Sequence, residues 1–251
     1  MATPPLADLD RSAHAPAQRR PRGAVAAVAG AAVATILGAS LLARGLGDDA
    51  VVWRGVALAL GGGTLLSWLA ARHLALPRFG MANAVTLTRA VLVLLLLALL
   101  GAQATSALAW LLVALSLAAA VLDGVDGALA RSRAETSAFG ARFDMEIDAL
   151  LILVLAALVW QHGKAGPWIL LAGLLRYLFV AASYALPWLA AALPPSRRRQ
   201  TVCVVQIATL IAALVPLIVP PWSAVVAVAG LAALVGSFGI DVVWLQRHAR
   251  A

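Results

Sequence analysis

Charge is scarce in this chain. Only 12% of its 251 residues are Asp, Glu, Lys or Arg, while 63% are hydrophobic. A soluble domain carries about 25% charged residues, so water is the wrong solvent for most of this surface. Cysteine is scarcer still. The single thiol, Cys203, excludes an intramolecular disulfide framework and any multi-cysteine zinc site, and its apolar surroundings suit a small packing residue. The histidines His14, His73, His162 and His248 lie too far apart in sequence for a ligand-like spacing and read as interfacial residues. Polar–apolar alternation is also missing from the long runs at 91–100 and 150–160, which excludes transmembrane β-strands.

What is present is a series of long apolar runs. A bilayer core takes about 20 apolar residues per helix, and inside it every backbone polar group must be satisfied within the protein. The fold class expected is all-α, a polytopic transmembrane bundle of about eight spans near 23–43, 51–71, 83–101, 105–129, 138–160, 167–190, 200–218 and 222–245. Gly- and Pro-bearing segments at 45–49, 77–80, 163–167, 194–195 and 220–221 punctuate them as loops. Residues 1–22, rich in Pro, Ala and Arg, are expected to form a disordered tail. They are not expected to form a signal peptide, because about twenty mostly non-periodic residues precede the first apolar run and no clear cleavage site follows it.

The basic residues orient the bundle. With the N-terminus in the cytoplasm, fifteen arginines fall on the inner side, Arg44, Arg54 and Lys164 fall on the outer side, and Arg176 falls within a span. That lopsidedness assigns the net charge of +8 to topology and to attraction for anionic lipid. Nucleic acid is not an expected partner, because no soluble domain exists to carry a basic surface.

The acids are concentrated. Of eleven Asp and Glu residues, Asp123, Asp126, Glu135, Asp144, Glu146 and Asp148 crowd into 123–148. On helices, Asp123 and Asp126 share a face at a spacing of three, and Asp144 and Asp148 share one at a spacing of four. Gly127, Ala130 and Gly140 leave room beside the carboxylates. An ionised Asp at mid-bilayer costs roughly 2.5 to 3.5 kcal/mol, so four would cost about 10 kcal/mol, comparable to the stability of a whole domain. Two divalent cations would cancel the four charges, and all-oxygen ligands favour Mg²⁺ or Mn²⁺. The bland alternative is that these acids pair with Arg131, Arg133 and Arg142, and it suits Glu135 and Glu146 best.

The run Asp123-Gly-Val-Asp126-Gly127-Ala-Leu-Ala130-Arg131, then eight residues to Gly140, three to Asp144 and three to Asp148, resembles the signature of the CDP-alcohol phosphotransferase family at every position. The resemblance implies a six-helix core at 73–251, with the active-site hairpin at 105–160 and two extra helices at 23–72 ahead of it. It implies that a CDP-linked lipid such as CDP-diacylglycerol passes a phosphatidyl group to a small alcohol with release of CMP. By position, Asp123, Asp126 and Asp144 would ligate the metals, and Asp148 would act as general base while also touching a metal. Gly127, Ala130, Arg131 and Gly140 would line the CDP site. The resemblance implies a homodimer, and the arginine distribution places the active site at the cytoplasmic face of a bacterial-type inner membrane.

A second pattern, Asn83, Thr86 and Arg89, resembles the Asn-x-x-Thr-x-x-Arg found where the first core helix begins. Two readings stay open: contact with the nucleotide, or a helix cap followed by an arginine snorkelling to lipid phosphate. Arg176, at mid-span, is expected to meet a site carboxylate or the acceptor's phosphate. Arg197, Arg198 and Arg199 read as an inner-side anchor. Met145 and Ala149 stand where phosphatidylglycerophosphate synthases carry Pro and Lys, so the acceptor stays open. The rival functions are an intramembrane prenyl-diphosphate transferase, expected to carry two separated acidic motifs, and a carboxylate-based cation transporter, expected to show paired halves. A membrane scaffold would have no use for four clustered acids.

Overall fold

The computed structural model describes the backbone of residues 22–73, 81–133 and 138–249, with side chains at 26–65, 84–124, 140 and 142–249. Among the described residues there are eight α-helices and no strand: α1 (Arg22–Leu46), α2 (Ala50–His73), α3 (Met81–Ala98), α4 (Ser106–Arg133), α5 (Ala138–Gln161), α6 (Leu171–Ala185), α7 (Arg197–Leu214) and α8 (Trp222–His248). The expected tail falls outside the described residues except at its last position, where α1 begins.

Four segments, Ala26–Leu46, Ser106–Gly124, Pro167–Ala185 and Trp222–His248, are long and apolar enough to cross a bilayer, and two shorter apolar stretches lie at Ala50–Leu65 and Ala84–Ala98. The expected count of eight is thus supported at the level of an all-helical membrane bundle. α5 stands outside the four because Asp144, Glu146 and Asp148 interrupt its apolar run, and α7 because it opens on three arginines. The expected sixth span, 167–190, is broken. A 3-10 turn at Pro167–Leu170 leads into α6, which stops at Ala185, and a second turn follows at Pro187–Ala190. Pro187 forces that stop, since the residue before a proline is driven out of the helical region, and Leu186 sits at φ −124°, ψ 85°.

α5 occupies the centre. It is apolar nearly all round beyond Asp148, as a helix buried on every side must be, and Leu151, Val154, Leu155, Ala156, Leu158 and Val159 are buried against α3, α6 and α7. By contrast α1 and α2 bury only small residues, such as Ala39, Ala43, Val51 and Ala59, and present Leu37, Leu41, Trp53 and Leu60 outward. Apolar surface facing lipid is no penalty, and helices in a bilayer associate through small residues that let backbones approach. Two contacts show it. A Cβ on Gly55 would lie 2.3 Å from that of Ala39, joining α2 to α1, and one on Gly173 would lie 2.4 Å from the Leu153 Cα, joining α6 to α5.

Hydrogen bonds tie the connections at one end of the bundle. Gly101, at φ +82°, donates its N–H to the Gln161 side chain (2.7 Å), whose amide donates to the Ala102 carbonyl (3.3 Å). Lys164 Nζ donates to the carbonyls of Val215 (3.1 Å) and Ile218 (2.7 Å), which follow the end of α7, and Ser223 Oγ donates to the Lys164 carbonyl (2.6 Å). Burial holds the Lys164 ammonium below its ordinary pKa, and burial followed by the charge of Lys164 does the same to His162.

Candidate active site

The functional cluster lies toward the other end, where α3 and α5 begin and α4 finishes. At 1.5 Å per residue, Arg89, Asp123 and Asp148 stand about 12–15 Å in from the ends of their helices. Asp123 comes from α4. Asp144 and Asp148 come from one face of α5, four residues apart. One carboxylate oxygen from each of the three lies within 4.8 Å of the others. Three of the four acids expected to gather thus lie together, and α4 and α5, which carry them, each pack against α3.

The cation among them is Arg89, from α3. Its Nη1 lies 2.9 Å from Asp123 Oδ1 and donates to Asp144 Oδ1 at 2.5 Å, while its Nη2 donates to Asp148 Oδ1. Arg89 has no exposed side-chain surface, whereas Asp123, Asp144 and Asp148 keep 26%, 39% and 21% of theirs. A guanidinium presents a planar fork that suits carboxylates and stays charged in any environment, so it can stand at the sealed side of an acidic cluster. Snorkelling to lipid phosphate is thereby set aside for Arg89: its head group turns inward to the acids. Thr86, one turn earlier on α3, is buried as well.

Other expected site residues fall differently. Asp126, Gly127, Ala130 and Arg131 lie on the last turns of α4, and Asn83 on the first turn of α3, but their side chains lie outside the described residues. Gly140 is half-buried on the first turn of α5, and Arg142 is exposed. Among the described residues Arg176 meets none of Asp123, Asp144 and Asp148: it donates to Glu146 and, at 2.9 Å, to Met145 Sδ. Two residues along a helix are about 200° apart, so Glu146 leaves α5 on the face opposite Asp144 and Asp148, and the Arg176 pair sits behind that helix.

A second charged cluster went unread in the sequence. Asp241 on α8, almost wholly buried, accepts from Arg198 (2.5 Å) and Arg199 (3.4 Å) on α7, and Arg198 also donates to the carbonyl and hydroxyl of Ser237, both at 2.6 Å. An acid inside an apolar run implies a cationic partner, and that rule could have found it. The anchor expected of Arg197–Arg199 is here a clamp between α7 and α8 for two of the three.

The donor set fits a hard divalent cation. Three carboxylate oxygens converge, and among the described residues no nitrogen or sulfur ligand accompanies them. Among the described residues no other group of acids, histidines and cysteines gathers in this way. Such an arrangement can bind cations and through them a phosphorylated ligand.

Residues 79–237, more than half of the chain, match the family model described as CDP-alcohol phosphatidyltransferase. Neither the curated proteins nor the solved structures gave a match.

Proposed function

The chain belongs to the CDP-alcohol phosphatidyltransferase family, membrane transferases of phospholipid biosynthesis that move a phosphate-linked group from a CDP-alcohol, and on that premise we propose that its donor is CDP-diacylglycerol and its acceptor a small alcohol. The observation that carries this reading is the convergence of Asp123, Asp144 and Asp148 oxygens within 4.8 Å inside an apolar bundle. Three carboxylates around a single guanidinium leave negative charge in excess, and a bound cation with a diphosphate guest would balance it.

In the proposed site Asp123, Asp126 and Asp144 hold Mg²⁺ or Mn²⁺, two ions in all. Bound there, the metal neutralises the diphosphate and the CMP that departs. Asp148 accepts the proton from the acceptor hydroxyl. The hydroxyl oxygen then forms a bond to the phosphorus that carries the diacylglycerol, and the bond from that phosphorus to the oxygen of CMP breaks. Gly127, Ala130, Arg131 and Gly140 line the CDP site, with Arg131 facing phosphate. Asn83, Thr86 and Arg89 approach the nucleotide end, and Arg176 serves the acceptor. Around the site we propose a cytoplasmic tail at 1–22, two additional helices at 23–72 and a six-helix core at 73–251, arranged as a homodimer. The bundle crosses the inner membrane several times, with its N-terminus and site on the cytoplasmic side, as the distribution of arginines supports.

The test supplies CDP-diacylglycerol and a panel of alcohols (glycerol 3-phosphate, inositol phosphate and serine among them) to the purified chain in detergent and measures CMP. Release that requires Mg²⁺ or Mn²⁺ and one of the alcohols is the expected result. A folded sample that releases no CMP with any acceptor and either metal overturns the donor assignment.

A further inference from the structure

Arg89 raises a question that the metal reading leaves open. Metal-binding carboxylates repel one another unless a cation lies between them, and here a cation of the chain itself does so. Its guanidinium reaches one oxygen each of Asp123, Asp144 and Asp148 and is wholly enclosed, while the three acids retain accessible surface. The carboxylates are therefore held converged by a group that cannot leave for solvent. A fixed positive charge against the same oxygens also opposes an incoming cation.

We infer that Arg89 makes metal loading depend on the donor: it serves as the counter-ion of the empty acid cluster, keeps affinity for a lone divalent cation low, and turns to the donor's diphosphate when metal and donor bind together. The inference rests on the proposed function. The chemistry behind it is that of one cation shared between two anions. When the acids have a metal, the guanidinium needs another anionic partner, and a diphosphate presents paired oxygens of the geometry its fork prefers. By linkage, whatever the donor adds to metal affinity the metal adds to donor affinity. A site built this way does not hold cations idle inside the bundle. Arg89 is thus a positioning residue.

The experiment measures Mn²⁺ affinity by electron paramagnetic resonance on the full chain in detergent, alone and with CDP-diacylglycerol, for wild type, Arg89→Met and Arg89→Lys. In wild type the lipid should tighten Mn²⁺ binding by at least about tenfold, within the span usual for coupled sites. Arg89→Met should bind Mn²⁺ alone at least about tenfold more tightly than wild type and gain little from the lipid, while Arg89→Lys, which keeps the charge, should stay near wild type. Unchanged or weaker Mn²⁺ binding in Arg89→Met overturns the inference. If that variant does not fold, a wild-type Mn²⁺ affinity indifferent to CDP-diacylglycerol overturns it equally. These failures leave the proposed function standing so long as wild type binds Mn²⁺ and releases CMP; a wild type that binds no Mn²⁺ with or without the lipid removes both.

Discussion

Among the described residues, two clusters of partly buried charge can be set side by side, and their stoichiometries are opposite. On α3, α4 and α5, three carboxylates surround one guanidinium. On α7 and α8, two guanidiniums surround one carboxylate, with a serine hydroxyl and a carbonyl accepting the remaining N–H groups. The second cluster has every role of a tie between helices filled from within the chain. The first carries negative charge in excess and asks for cations from outside. The one positive charge left over at the second cluster is borne by arginines whose side chains stay 31% and 30% exposed, so the surplus that calls for a ligand is the negative one on α3, α4 and α5.

The sharpest way to break this comparison is a crossed pair of substitutions. Asp148→Asn should lower CMP release by about 10²–10⁴-fold, the usual worth of a positioned acid–base group, and should leave the metal-free thermal midpoint unchanged or raised, because it removes one of three mutually repelling charges. CDP-lipid binding should largely persist, and lost lipid binding would assign Asp148 to the metal alone. Asp241→Ala should do the reverse. It strands Arg198 and Arg199 and should cost about 1–3 kcal/mol of stability, read as a lower midpoint, with CMP release per folded molecule and Mn²⁺ affinity retained. If both variants lose stability alike, or both lose activity alike, the distinction between site and fastening fails.

A smaller effect is expected behind α5. Glu146→Gln should cost about 1 kcal/mol or less, as for other partly exposed pairs, and should not move Mn²⁺ affinity, because Glu146 leaves the helix away from Asp144. A changed affinity would enlarge the acidic site to include it. Arg176→Ala tests the acceptor role in the same frame: unchanged acceptor affinity and activity would reduce Arg176 to a partner of Glu146. The mildest expectation concerns the tied end of the bundle. Burial and the charge of Lys164 hold His162 below its ordinary 6.5, so the unfolded chain takes up this proton more readily than the folded one. Stability from this group is therefore intact above pH 6.5 and falls as pH is lowered through 6.5 and below. His162→Gln should flatten that part of a plot of thermal midpoint against pH, and an unaltered slope would remove His162 as its source.

Much of the bundle and of its acid hairpin was legible because the signals are local. Apolar runs give the helices, and spacings of three and four put Asp144 with Asp148 on one face. What stayed unread depends on pairing between distant helices. Arg89 is 55 residues from Asp144 and Arg198 is 43 from Asp241, and no periodicity within a helix encodes such a meeting. The pattern around Arg89 offers a nucleotide or lipid phosphate as its partner, and nothing local to α3 points to the acids of α4 and α5. The depth of Arg176 follows from counting residues, whereas its meeting with Glu146 depends on how α6 docks on α5. The break at Pro187 was visible as a proline and unread as an end, because the apolar run continues past it.

The enclosure of Arg89 behind three partly accessible acids has a consequence for timing. With one wall formed by a side chain that has no exposed surface, metal and donor would share the open side of the cluster and leave by the way they came. A nucleotide seated over the metals would then act as their stopper, and turnover would queue behind its exit.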